Sequence, residues 1–138
     1  VLFRSKGFVH PAALQLLQRL RFDTARLRSK SWDEFTTVDA PAMDAVITLG
    51  DSAEAESCPV WPGHPLTALW STEDPAIEGT PDEATQAFAH AFQSLRARVS
   101  QLMGLPLARL SDDELLRNLR EIGASSGTNG GSDVRLSL

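Results

Sequence analysis

The chain has 138 residues, a net charge of −5 and a hydrophobic content of 42%. This length fits one domain, and the apolar content suffices for a packed core. No apolar run approaches the roughly 18 residues of a membrane span, and no secretory signal is visible, so we expect a cytoplasmic protein without membrane contact. Cys58 is the only cysteine and cannot form an internal disulfide, which agrees with a reducing compartment.

The charges are distributed unevenly along the chain. Residues 31–95 contain no Lys or Arg but twelve Asp and Glu residues. Proteins that bind DNA or RNA need clustered cations along the contact face, so we expect no nucleic-acid partner. The same pattern means that an enzyme acting on an oxyanion would take its anion-binding charge from another part of the protein.

In chain order, the first predicted element is a helix over Pro11–Leu20, because Pro opens it and leucines follow at helical spacing. A short helical turn is predicted at Trp32–Phe35, with Ser31 as its N-cap. Ala45–Leu49 is a short apolar run typical of a strand that is buried on both faces of a parallel sheet. Thr67–Trp70 is a second, weaker strand pattern.

Two helices follow these strands. The segment Thr80–Met103 begins with Thr-Pro-Asp-Glu, a capping box with Pro at the first helical position. Its predicted apolar stripe consists of Ala84, Ala87, Phe88, Ala91, Phe92, Leu95, Val99 and Leu102. A shorter helix, from Ser111 to Gly123, also opens with a capping box. Residues 124–138 are rich in Ser and Gly and are predicted to form a disordered tail.

Helices that alternate with buried strands indicate an α/β protein with a parallel sheet and flanking helices. Two strands cannot complete such a sheet, because the backbone groups of a doubly buried strand need partners on both sides. We therefore predict an incomplete parallel sheet whose missing strands lie upstream. Losing a central strand should expose apolar faces of Ala45–Leu49 and of the Thr80–Met103 helix, and it predicts a poorly soluble or molten chain.

The most distinctive stretch is Gly-Asp-Ser-Ala-Glu-Ala-Glu-Ser-Cys-Pro-Val-Trp-Pro-Gly at 50–63. Trp-Ser-Thr-Glu-Asp-Pro-Ala follows at 70–76, and Val-His-Pro-Ala-Ala at 9–13 and Ser-Lys-Ser-Trp-Asp-Glu at 29–34 precede it. In this order and spacing, residues 6–123 resemble the arsenate reductases built on the low-molecular-weight protein tyrosine phosphatase fold.

The resemblance implies an initial strand, a Cys-x5-Arg loop that binds the oxyanion through its backbone N–H groups, and a helix. This chain lacks that loop, so the resemblance implies a fold without its first βαβ unit, and we expect the chain to be inactive by itself. Residues 1–5 match the translated end of a common sequencing adapter. We interpret them as a non-native leader before a partial domain at 6–123; a genuine internal deletion is the alternative.

Two residues match functional positions of the family. Asp74, which precedes Pro75, matches the general acid that protonates the leaving oxygen; simple turn chemistry is the alternative. Cys58 matches the distal redox thiol, which closes a disulfide that thioredoxin reduces; an inert thiol is the alternative. Gly50 stands where the upstream relay cysteine would be, so reduction by a small thiol also stays open.

The remaining polar residues suggest no bound cofactor or metal. Asp51, Glu54 and Glu56 have no histidine at a useful spacing, so we interpret them as a solvated acidic loop. We expect the three tryptophans to be packing residues and Arg28 and Lys30 to be solvent-exposed, and we assign no role to any histidine.

The implied function is the reduction of arsenate to arsenite through a cysteine thiolate, in arsenic detoxification. The substrate would be a small oxyanion, and thioredoxin or a small thiol would be the reductant. A phosphatase on the same fold and a non-catalytic remnant or interaction module are the alternatives. The Cys-Pro-Val-Trp-Pro-Gly segment and the lack of tyrosine favour the reductase, whereas the missing loop favours the non-catalytic interpretation.

Overall fold

A computed structural model of the chain describes residues 7–50, 59–76 and 78–125. These residues form a mixed α/β structure, as the sequence predicts. The elements are α1 (Pro11–Arg19), a 3₁₀ turn (Trp32–Phe35), β1 (Ala45–Gly50), β2 (Leu66–Ser71), α2 (Pro81–Met103), a second 3₁₀ turn (Leu107–Arg109) and α3 (Asp112–Ala124). Within the described residues, no helix is long and apolar enough to cross a membrane.

Capping boxes begin α2 and α3, as predicted. The Thr80 hydroxyl accepts the Glu83 N–H, and the Glu83 carboxylate accepts the Thr80 N–H at 2.7 Å. Ser111 and Glu114 repeat the arrangement at α3, with a backbone-to-carboxylate distance of 2.8 Å. Each box satisfies donors that the first turn of a helix otherwise leaves unpaired.

The first helix is capped by a histidine and packs on α2. The Nδ1 atom of His10 accepts the Ala12 N–H at 3.1 Å, and Pro11 takes the first helical position. The His10 ring stacks on Phe88 of α2 with centroids 4.6 Å apart. Helix α1 ends at Arg19, one residue earlier than predicted, and Leu20 is its C-cap.

The two strands are parallel, with a register from Ala45 opposite Leu66 to Gly50 opposite Ser71. The described residues contain only these two strands in the sheet. The apolar pattern of β1 alone predicts burial on both faces, but most of the strand is half-buried and Leu49 is 47% exposed, as predicted for an incomplete sheet. The reason is that β2 is the only strand that pairs with β1 among the described residues.

The buried core lies between β2 and α3. It consists of Ala68, Trp70, Leu119 and Ile122, and half-buried side chains such as Ile47 and Leu115 pack around it. The Trp70 indole N–H donates to the Leu119 carbonyl at 2.9 Å, so the largest core side chain is also paired with the helix backbone. Because of this packing, α3 is fixed on β2.

The tryptophans occupy packing positions, as expected. Trp70 is 2% exposed and Trp61 is 9% exposed. Trp32, which is half-buried, meets Trp61 edge to face with ring centroids 6.3 Å apart. This contact joins the first 3₁₀ turn to the segment that precedes β2.

Two details of the helices correct the sequence predictions. Val99, assigned to the apolar stripe of α2, is 47% exposed, whereas the neighbouring Arg98 is buried. Helix α3 continues to Ala124 instead of stopping at Gly123, and Ser125 is its C-cap. Within this helix Gly123 lies against Trp70, where the lack of a side chain leaves room for the indole.

Candidate active site

A cleft of about 550 Å³ opens at the carboxyl ends of the two strands. Because β1 and β2 are parallel, Gly50 and Ser71 end them at the same edge of the sheet. We call this the strand-end cleft. Its lining residues are Leu49, Gly50, Ser71, Thr72, Glu73, Asp74, Pro75, Ala91 and Leu95. Ligands of open α/β sheets bind outside the carboxyl ends of the strands, so a binding site is expected at this edge.

Asp74, the predicted general acid, lines the strand-end cleft. Its Oδ1 atom accepts the Ala76 N–H at 2.9 Å, which orients the carboxylate across Pro75. This side-chain-to-backbone bond is the Asp turn chemistry that the sequence suggests at Asp-Pro. The turn and a catalytic role are compatible, because the bond fixes the carboxylate at the edge of the cleft while the residue stays exposed.

The segment 71–76, which we call the Asp74 loop, also lines a second depression. This smaller depression has a volume of about 310 Å³ and is lined by His90 and Ser94 of α2 together with loop residues. No role was predicted for His90, which lines this depression together with Asp74. The loop therefore borders both depressions.

The charge of the strand-end cleft is negative among its described lining residues. Glu73 and Asp74 contribute carboxylates, and no Lys or Arg is among the lining side chains. A carboxyl group placed here can deliver a proton to a leaving oxygen. Binding an oxyanion needs donors or positive charge from elsewhere, as the cation-poor sequence of residues 31–95 indicates.

Thr72 joins the Asp74 loop to both strands. Its backbone N–H donates to the Gly50 carbonyl at 3.4 Å, which continues the β1–β2 ladder by one residue. Its hydroxyl donates to the Trp70 carbonyl at 3.0 Å. Thr72 therefore fixes the start of the loop relative to the end of each strand.

Gly50 closes β1 with a φ of 141°. Residues with a side chain rarely adopt this conformation, so a cysteine at this position would strain the backbone. The resemblance described above implies a relay cysteine at this position. The local geometry suits the glycine that this sequence carries.

Arg98 forms hydrogen bonds to the first two residues of the Asp74 loop. Its side chain extends from α2, is 7% exposed, and donates through Nη1 to the Ser71 carbonyl at 3.0 Å and to the Thr72 hydroxyl at 3.3 Å. Its Nε atom is buried without a hydrogen-bond partner. Arg98 is the one charged residue that is buried in the described part of the chain.

Sequence reasoning missed both Arg98 and Thr72. A usable signal existed for Arg98, because it lies three residues after Leu95 and four before Leu102, on the side of the helix that the apolar stripe marks. An arginine at such a position indicates a buried cation with a specific partner, because buried arginine is uncommon without one. For Thr72, the signal is its place just after a predicted strand in a parallel sheet.

Other predicted residues lie away from the strand-end cleft or outside the described part of the chain. Cys58, Asp51, Glu54 and Glu56 fall outside the described residues, as do residues 1–5 and most of the predicted tail. No group of three potential metal-ligating side chains occurs within residues 7–50, 59–76 and 78–125.

Arg28 and Lys30 are exposed, as expected. Arg28 forms two hydrogen bonds to the carboxylate of Glu34, at 2.8 and 2.6 Å. These bonds hold the pKa of Glu34 below its ordinary value and raise that of Arg28. Arg28 is therefore paired with a neighbouring carboxylate and does not line the strand-end cleft.

No protein-family model matches this chain, and no curated protein matches it either. The family therefore stays a prediction from the sequence motifs.

Proposed function

We propose that this chain is part of an arsenate reductase of the low-molecular-weight protein tyrosine phosphatase-like family, with Asp74 as the general acid. The proposal includes the finer fold: a phosphatase-like parallel sheet of which β1 and β2 are two adjacent strands. The order and spacing of the motifs from residue 9 to residue 103 support the family.

The position of Asp74 carries the proposal. The carboxylate follows β2 at the carboxyl edge of a parallel pair, lines a cleft of about 550 Å³ and is oriented by the Ala76 N–H. A general acid must lie beside the leaving oxygen of a bound substrate, and the carboxyl edge of a parallel sheet is where such substrates bind. Turn chemistry alone would not require the carboxylate to line a cleft.

In the proposed reaction, a cysteine thiolate attacks arsenate and forms a sulfur–arsenic bond. The arsenic–oxygen bond breaks, and the proton from Asp74 turns the leaving oxygen into water. A second thiol then attacks the sulfur of the adduct, so that two thiols are oxidised to a disulfide and arsenic is reduced to arsenite. Thioredoxin or a small thiol would restore the thiols. The attacking Cys-x5-Arg loop is not among these 138 residues.

The test first sequences the natural gene beyond both ends of the region that encodes these 138 residues. A Cys-x5-Arg loop after an apolar strand upstream of Lys6 is the expected finding. In the protein so encoded, Asp74→Asn should lower arsenate reduction by roughly 10²-fold or more, since general acids contribute about 10²–10⁴-fold. Asp39→Asn, at an exposed loop position, is the matched control and should keep full activity.

Each alternative has its own outcome in the same assay. Hydrolysis of p-nitrophenyl phosphate without arsenate reduction would establish the phosphatase instead. An Asp74→Asn protein with unchanged rates would remove the general-acid assignment. The 138-residue chain alone should show only background turnover with both substrates, and turnover above background would contradict its expected inactivity.

A further inference from the structure

Burying the charged guanidinium of Arg98 costs desolvation free energy, so its contacts must offset that cost. A guanidinium loses its hydration when it is 7% exposed, and the cost is repaid only by good hydrogen bonds or an opposite charge. Arg98 forms no ion pair with the described residues, and its Nε has no hydrogen-bond partner. Its hydrogen bonds go through Nη1 to a carbonyl and a hydroxyl.

Both acceptors of Arg98 lie at the start of the Asp74 loop. The Ser71 carbonyl ends β2, and the Thr72 hydroxyl in turn donates to the Trp70 carbonyl. Asp74 comes two residues later. A charged donor generally forms a stronger hydrogen bond than a neutral one, and Arg98 forms two, at 3.0 and 3.3 Å, to adjacent residues at the start of the loop.

We infer that Arg98 is a positioning residue: it holds residues 71 and 72 so that Asp74 faces the strand-end cleft. A residue that served only to fill the core would be apolar, because replacing a buried charge by a hydrophobic side chain of similar volume is often neutral or stabilising. The inference rests on the proposed function only in naming Asp74 as the group whose position matters.

Two backbone amides report the geometry of the loop directly. The Thr72 N–H donates to the Gly50 carbonyl, and the Ala76 N–H donates to Asp74 Oδ1. Amide hydrogen exchange of the 138-residue chain, measured by NMR, follows both without any need for activity. Arg98→Met should speed exchange at both amides by about tenfold or more, whereas amides of the α3 core, such as that of Leu119, should keep their rates.

Matched variants separate positioning from general stabilisation. Arg96→Met removes an exposed cation from the same helix and should leave both reporter amides at wild-type rates. Arg98→Lys keeps a charged donor and should restore part of the protection. If Arg98→Met does not fold, Thr72→Val removes one acceptor of the guanidinium and should speed exchange of the Ala76 amide. Unchanged rates at Thr72 and Ala76 in Arg98→Met, or equal acceleration throughout the core, would overturn the inference.

The activity measurement distinguishes this inference from the proposed function. In the protein that carries the nucleophile, Asp74→Asn should lower kcat for arsenate reduction, and Arg98→Met should lower it about tenfold. In the Asp74→Asn background, Arg98→Met should lower kcat no further, because the carboxylic acid that Arg98 positions is already removed. If Asp74→Asn leaves arsenate reduction unchanged, the proposed function fails while the exchange result stands. If Arg98→Met lowers kcat by the same factor with and without the Asp74 carboxyl group, the positioning role fails.

Discussion

The strand β2 and the Asp74 loop that follows it are held by different kinds of interaction. Along the strand, Trp70 and Ala68 pack on α3, and Trp70 and Leu119 are 2% and 1% exposed. At its carboxyl end, the Asp74 loop is exposed and is fixed by hydrogen bonds from Thr72 and Arg98. Apolar packing thus supports the strand, while polar contacts set the position of the loop that carries the candidate acid.

A similar contrast separates the two sides of the molecule. The interface between β2 and α3 contains the buried core, whereas the opposite elements leave large apolar side chains accessible: Leu49 of β1 is 47% exposed and Met103 of α2 is 72% exposed. Local stability follows the density of buried apolar contacts. We therefore expect β2 and α3 to be the most stable unit and β1 and α2 to open more readily.

The largest test of this contrast is Trp70→Ala. Removing the indole deletes the centre of the core and the hydrogen bond to the Leu119 carbonyl, so we expect the free energy of unfolding to fall by about 3–5 kcal/mol. Urea denaturation followed by circular dichroism measures the change. Such a loss approaches the whole stability of a small domain.

Phe8→Ala is the control for Trp70→Ala, because it removes an aromatic side chain that is 62% exposed. It should change the free energy of unfolding by less than about 0.5 kcal/mol. Similar small effects of both substitutions, together with a broad non-cooperative transition, would mean that the chain is molten, as predicted for an incomplete sheet. A large difference between them would establish a specific core.

A smaller effect is expected at Gly123, on the helix side of the same core. A Cβ atom added there would lie 2.6 Å from Trp70 Cδ1 and 2.7 Å from the Leu69 carbonyl oxygen. Alanine normally stabilises a helix by about 1 kcal/mol relative to glycine, but overpacking costs about 1–3 kcal/mol. Gly123→Ala should therefore lower the thermal midpoint.

Gly104→Ala is the matched glycine control. A Cβ there meets its nearest atom, the Gln101 carbonyl oxygen, at 3.4 Å, and the backbone has a φ of −78°. It should leave the thermal midpoint unchanged or raise it slightly. If both substitutions raise the midpoint, α3 does not pack on Trp70 as closely as described.

The local sequence predicts the elements of this fold well, because their signals are local. The capping boxes at Thr80 and Ser111, the N-cap at Ser31 and both strands are present close to their predicted bounds. The burial of β1 depends instead on its neighbours. The apolar pattern of the strand alone favours burial on both faces, whereas the exposure of Leu49 follows from the single strand that pairs with β1 among the described residues.

The candidate site was predicted only in part for a related reason. Asp74 could be assigned from a motif of adjacent residues. Arg98 is 24 positions further along, and its role depends on the rotation of α2, which turns Arg98 inward and leaves Val99 exposed. Periodicity places both residues near the edge of the apolar stripe, and only the packing of α2 against the Asp74 loop decides between them.

The smallest expected effect concerns the start of α3. The hydrogen bonds from the backbone and hydroxyl of Ser111 lower the pKa of Glu114. A carboxylate with a depressed pKa stabilises the folded state above its ordinary pKa, and this contribution is lost as the pH falls through the folded value. As the pH falls from about 5 into the acid range, wild-type α3 should therefore lose stability that Glu114→Gln never has.

Hydrogen exchange of the α3 amides as a function of pH, corrected for the intrinsic exchange rate, measures this difference. The protection of wild-type and Glu114→Gln chains should differ at neutral pH and converge in acid. Glu121→Gln, an exposed change on the same helix, should run parallel to wild type throughout. Convergence is required because protonation of Glu114 removes the same negative charge that the substitution removes. A constant difference down to low pH would mean that the effect of the substitution does not come from the charge of Glu114.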